Sequence, residues 1–111
     1  MQNQAIEILY FDQNDRFKDQ LPRTGELAER LASSNVDDWY LVKLSQSVHW
    51  EAQDYWHLLI RSRWQGKELS SGEPVSIFIL LVSAERLPLS EPINPESFPH
   101  VAWGMAKLTA V

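Results

Sequence analysis

The chain has 111 residues, a formal net charge of −5, a hydrophobic content of 44% and no cysteine. This length leaves room for one small core, so we predict a single domain over residues 1–111. The absence of cysteine excludes disulfides, thiolate nucleophiles and cysteine-based metal sites. The negative charge opposes binding to nucleic acid or to an anionic membrane through the average field of the protein.

The amino terminus lacks the basic start and long apolar run of a signal peptide. The most apolar segment, Val75–Val82, is too short to cross a bilayer as a helix. Together with the missing cysteines, these features predict a cytoplasmic protein with no membrane partner.

Two elements are predicted before the aromatic centre of the chain. The β-branched and aromatic side chains of residues 5–11 predict a strand. Thr24 is a plausible N-cap, and Leu27, Ala28, Leu31 and Ala32 follow it at helical spacing. We therefore expect a short helix that ends near Asn35.

Residues 39–64 contain two aromatic-rich runs around a short polar bend, which predicts an antiparallel hairpin. Placing Trp50 opposite Trp56 would put His49 opposite His57, although a register shifted by two residues keeps the same faces. The even-numbered face is predicted to form the core together with Ile77 and Ile79. Its members are Tyr40, Val42, Leu44, Trp56, Leu58, Ile60 and Trp64.

Val75–Val82 is apolar on both faces, which is typical of a covered central strand, and we place it between the hairpin and the amino-terminal strand. Residues 87–99 contain four prolines and predict an extended strap anchored by apolar side chains. Residues 100–111 are predicted to form a closing helix, although the low helix propensity of Gly104 disfavours it.

The predicted fold is a two-layer α+β domain. A mainly antiparallel sheet of about four strands carries the helices and strap on one face.

The tip of the hairpin is the first candidate site. His49 and His57 are predicted to share a face, with Glu51 in the bend between them, and these three groups are candidate metal ligands. The alternative is that both histidines are ordinary residues of a half-exposed sheet face. Because a site needs three or more convergent ligands, we predict no bound metal or other cofactor.

The odd-numbered face of the hairpin is the second candidate, because it mixes cations with aromatic rings. Its predicted binding residues are Trp39, Lys43, Tyr55, His57, Arg61 and Arg63. Such a face suits a protein partner or a second copy of the chain. It also suits unpaired nucleic-acid bases, and a third reading is that the strap covers it.

No Gly-rich phosphate loop, G-x-S-x-G or H-E-x-x-H motif occurs in the chain. We therefore name no catalytic residue. The predicted function is a small non-catalytic protein-binding module, such as an adaptor, inhibitor or regulatory subunit. Single-stranded nucleic-acid binding is the alternative, and a small enzyme based on a metal or a pocket comes third.

Overall fold

The computed structural model of the protein describes residues 4–12, 22–32, 38–50, 52–63, 69, 73–89, 92–98 and 101–109. The strands are β1 (Gln4–Asp12), β2 (Arg23–Leu31), β3 (Trp39–Trp50), β4 (Gln53–Ser62), β5 (Val75–Val82) and β6 (Val101–Leu108). Two 3₁₀ turns, Ala84–Arg86 and Pro95–Ser97, lie between β5 and β6. Among the described residues there is no helix long and apolar enough to span a membrane.

The strands form a closed antiparallel barrel in which each strand pairs with the next along the chain. The last strand pairs back with the first, and Ile8 of β1 lies opposite Ala106 of β6. Ala106 also lies opposite Val75 of β5, so β6 is paired on both sides. Closure of this kind leaves no sheet edge open to another chain.

The prediction of an α+β fold is wrong, and the first reason lies in β2. Residues 24–35 were expected to form a helix, but Arg23–Leu31 is a strand between β1 and β3. Leu27 and Leu31 were expected on one face of that helix, but a register shift between Leu27 and Glu29 places Leu27 against the interior of the barrel and Leu31 on its outside. Glu26 lies opposite Ala5 on one side and Lys43 on the other, so pairing with two neighbours overrides the local helical preference.

The carboxyl-terminal helix is also absent, since Val101–Leu108 is the strand that closes the barrel. Gly104 and Ala106 are buried in it, whereas Trp103 and Met105 alternate with them and stay partly exposed. The strand at Val75–Val82 is confirmed, but its neighbours are β4 and β6 and not β1.

The hairpin is confirmed, with a register that differs from the one we considered. Trp50 lies opposite Gln53, and His49 lies opposite Asp54. Ala52 in the turn between β3 and β4 has a positive φ of 64°, a left-handed conformation that alanine rarely adopts.

An irregularity in the β3–β4 pairing, between Lys43 and Val48, changes which hairpin side chains face the core. Two residues of β4, Trp56 and His57, lie between the inward-facing Tyr55 and Leu58. Tyr55 is therefore buried at 5% exposure, and Trp56 is exposed at 47%. The predicted core position of Trp56 is wrong, and Trp64 lies outside the described residues.

The interior of the barrel holds one of the two hydrophobic clusters. All of its members are large apolar residues except one tyrosine and one alanine, and the small side chain of Ala106 fits where the strands crowd together. The buried members are Ile6, Ile8, Val42, Leu44, Val48, Tyr55, Leu58, Ile60, Ile77, Ile79, Leu81 and Ala106.

The second cluster lies on the outside of the barrel, under the segment that we call the strap (residues 84–89 and 92–98). The barrel contributes the outward side chains Leu31, Trp39, Leu41, Leu59, Leu80 and Val82, and the strap contributes Ile93 and Phe98. Arg86 donates to the Ser97 carbonyl at 2.6 Å and lies 4.0 Å from the Phe98 ring centroid. Ile93 and Phe98, which lie within the predicted strap of residues 87–99, are therefore packed against the barrel.

Candidate functional site

The outer surface of β4, β5 and β6 carries a row of arginine and aromatic side chains. Arg61 of β4 lies opposite Phe78 of β5, and Phe78 lies opposite Trp103 of β6. With Trp39 and Arg63, these residues make up what we call the arginine–aromatic patch. These side chains form one patch because alternate residues of each strand face outward, and the strand register places them side by side on neighbouring strands.

Cations and rings contact each other throughout the patch. The Arg61 guanidinium carbon lies 5.0 Å from the Trp39 ring centroid and 5.4 Å from that of Phe78. The Arg63 guanidinium carbon lies 4.8 Å from the Trp103 centroid, and Phe78 and Trp103 meet edge to face with centroids 6.4 Å apart. Contacts of this kind contribute about 0.5–1 kcal/mol each at exposed sites, so they hold the side chains in place.

Exposure divides the patch into a covered end and an open end. Trp39 is only 2% exposed, because it belongs to the cluster beneath the strap. Arg61, Phe78 and Trp103 are half-buried, and Arg63 is exposed. The open end therefore presents two arginines and two aromatic rings to solvent.

The predicted binding residues fall into two groups. Trp39, Arg61 and Arg63 are brought together in the patch, as the odd-numbered face predicted. Tyr55 is not on that face, because the irregularity in the hairpin turns its ring into the barrel interior.

Lys43 and His57 form a separate pair, opposite each other on β3 and β4. Lys43 is exposed and lines an open groove of about 350 Å³ together with Gly25 and Ser45. His57 is half-buried, and this burial, with a smaller contribution from the charge of Lys43, lowers the pKa of the imidazole below its ordinary value.

The residues considered for a metal site do not come together. His49 Nδ1 lies 2.9 Å from the carboxylate of Asp54, and both side chains are exposed. His57 is paired with Lys43 and not with His49. Glu51 lies outside the described residues. Within the described part of the chain, no group of three or more His, Asp or Glu side chains could hold a metal ion.

Sequence reasoning missed Phe78 and Trp103. Phe78 lies in a strand that is apolar on both faces, so nothing in the sequence marks its outward direction. Trp103 was assigned to a helix, although large residues at 103, 105 and 107 alternate with small ones at 104 and 106. That alternation is the signal that predicts a strand with its large side chains pointing outward.

Comparison of the chain with known protein families, with curated proteins and with solved structures found no match in any of the three.

Proposed function

We propose that the protein is a small non-catalytic protein-binding module that contacts its partner through the arginine–aromatic patch. The observation that carries the proposal is the row formed by Arg61, Phe78 and Trp103, which runs across three strands on the outside of the barrel. The strap covers the neighbouring apolar surface but leaves this row half-exposed.

The composition of the row supports a protein partner. Trp, Phe, Met and Arg are enriched at the centres of protein interfaces, and Met105 lies beside the row, 3.2 Å from the hydroxyl of Ser76. The rings and guanidinium groups already contact one another, so binding would freeze few additional rotamers.

Single-stranded nucleic acid is the less favoured occupant of the same surface. Base stacking requires open ring faces, but Arg61 lies over Phe78 and Arg63 lies over Trp103. The net charge of −5 also repels a strand that carries a phosphate on every nucleotide.

The proposal places the protein in the cytoplasm, a choice supported by the cysteine-free sequence.

The test is affinity capture from the native host after nuclease treatment, with the full chain as bait. Trp103→Ala removes one of the two rings of the row, and we expect partner recovery to fall about 30-fold, as for an interface hot spot of about 2 kcal/mol. Arg30→Ala is the matched control, because Arg30 also lies over an aromatic ring, 5.6 Å from the Tyr40 centroid, but on β2. Equal recovery with both variants would contradict the proposal.

A second copy of the chain is one form that the partner could take. Light scattering on the purified protein tests this form, since a dimer through the row doubles the mass and Trp103→Ala restores the monomer. A mass that stays monomeric at all concentrations would exclude the second copy and leave a different protein as the partner.

A further inference from the structure

Three side-chain nitrogen atoms are buried without a hydrogen-bond partner in the described part of the chain, and all three belong to β3 or β4. They are Trp39 Nε1, His57 Nδ1 and Arg61 Nε. An unsatisfied buried donor costs about 1–3 kcal/mol, so native proteins contain few of them. Two of the three belong to Trp39 and Arg61, whose side chains contact each other in the arginine–aromatic patch, with the guanidinium carbon 5.0 Å from the Trp39 ring centroid.

Arg61 is a half-buried cation for which the described residues supply no carboxylate. The ion pairs formed between described residues are Arg30 with Asp38, His49 with Asp54 and Lys107 with Glu7, and none of them involves Arg61. Its described contacts are the rings of Trp39 and Phe78 on either side. Removing a charge from water without a counter-ion is unfavourable, and none of the described residues provides a counter-ion for Arg61.

The chemistry of Trp39 Nε1 and Arg61 Nε determines which kind of hydrogen-bond partner could bind them. An indole N–H and a guanidinium can only donate hydrogen bonds, so the complementary group must be an acceptor. A neutral carbonyl would satisfy a donor but would leave the charge of Arg61 uncompensated. A carboxylate satisfies both requirements, since its two oxygens match the planar fork of the guanidinium.

We propose that Arg61 and Trp39 form a donor site that receives one carboxylate from an Asp or Glu side chain of the protein partner. The inference rests on the proposed function for the identity of the partner and adds the group that it must present. Arg61 is half-buried, so part of its side chain faces solvent, but its Nε and the Nε1 of Trp39 are themselves buried, and a carboxylate reaches them when the side chains around the patch shift on binding. A single carboxylate meets less repulsion from the acidic chain than a polyphosphate strand does.

The site can be tested on the full-length protein by ¹⁵N NMR, because the Nε–H of Arg61 and the Nε1–H of Trp39 both give resolvable signals. The probes are acetyl-Glu-amide and acetyl-Gln-amide, which have nearly the same shape and differ in charge. We expect both signals to shift saturably with the glutamate probe, and we expect the glutamine probe to bind about tenfold more weakly or not at all.

Two variants and a third probe complete the NMR experiment. Arg61→Gln should abolish the shift of the Trp39 signal, whereas Arg30→Gln should leave it unchanged. Equal shifts with both probes, or a Trp39 shift that survives Arg61→Gln, would overturn the inference. Inorganic phosphate that saturates the site at about one-tenth of the glutamate concentration would also overturn it, since the anion would then be a phosphate.

Capture experiments separate this inference from the proposed function. If Trp103→Ala loses the partner and Arg61→Gln retains it, the carboxylate site is refuted while the protein-binding function stands. If both variants retain the partner as well as Arg30→Gln does, the proposed function itself is refuted. Arg61→Lys keeps the charge without the planar fork, and we expect it to recover part of the binding that Arg61→Gln loses.

Discussion

The strap contributes to stability through a small number of buried side chains, and Phe98 tests this most clearly. Phe98 is 6% exposed and packs into the outer cluster with Ile93 and Trp39. Its ring also lies 4.0 Å below the Arg86 guanidinium. Replacing a buried phenylalanine by alanine costs about 3–5 kcal/mol, and a strap can settle partly into the space that is left. We therefore expect Phe98→Ala to lower the free energy of unfolding by about 3 kcal/mol.

Urea and thermal unfolding followed by circular dichroism measure this loss. A change of 1 kcal/mol shifts the melting temperature of a domain of this size by about 4 °C, so the expected shift is about 12 °C. Glu96→Ala is the matched control, because Glu96 is exposed in the same strap, and its effect should stay within about 0.5 kcal/mol. A loss below about 1 kcal/mol for Phe98→Ala would refute the packing of the strap.

Three further predictions concern the barrel. Gly25→Ala should lower the free energy of unfolding by about 1–3 kcal/mol in urea, because a Cβ there would lie 2.5 Å from the Lys43 carbonyl oxygen; an unchanged midpoint would contradict this close approach. Tyr55→Ala should cost about 3 kcal/mol and Trp56→Ala less than about 1 kcal/mol, and the reverse order would refute the hairpin irregularity. The pKa of His57 is lowered in the folded state, so its contribution to stability is present above the unfolded pKa and is lost as the pH falls through the folded one. Urea midpoints between pH 7.5 and pH 5 should therefore fall more steeply for the wild type than for His57→Gln; parallel profiles would contradict this prediction.

The sequence predicts the strands whose large apolar residues also carry β propensity. The strand at residues 5–11, the hairpin and Val75–Val82 were all predicted, since β-branched and aromatic side chains dominate them. Their antiparallel pairing followed for the hairpin alone, because a short turn fixes which strands are adjacent.

The strands β2 and β6 were missed for opposite reasons. In β2 a register shift between Leu27 and Glu29 breaks the alternation of a strand, so that Leu27 packs against the interior cluster and Leu31 belongs to the outer one, and the remaining apolar spacing matches a helix. In β6 the buried positions include Gly104 and Ala106, whose small side chains give no hydrophobic signal of a buried strand face. A search for large buried residues at alternate positions does not find such a strand.

The candidate site was predicted in part. Arg61 and Trp39 follow from the alternation of the hairpin, which extends regularly through that region. Tyr55 was misplaced because residues beyond the irregularity no longer follow the same alternation, and no sequence signal marks where such an irregularity occurs. Phe78 and Trp103 join the site because β5 pairs with β4 and with β6, and the connections between these strands are too long for the local sequence to predict the pairing.

The division of side chains between the core and the outer face depends on the closure of the barrel by β6. NMR measurement of NOEs from Ala106 tests this closure directly, because Ala106 lies opposite Ile8 on one side and opposite Val75 on the other. A closed barrel predicts cross-strand NOEs from Ala106 to both strands. Helical NOEs along residues 101–108 without contacts to β1 would contradict the fold and the surface derived from it.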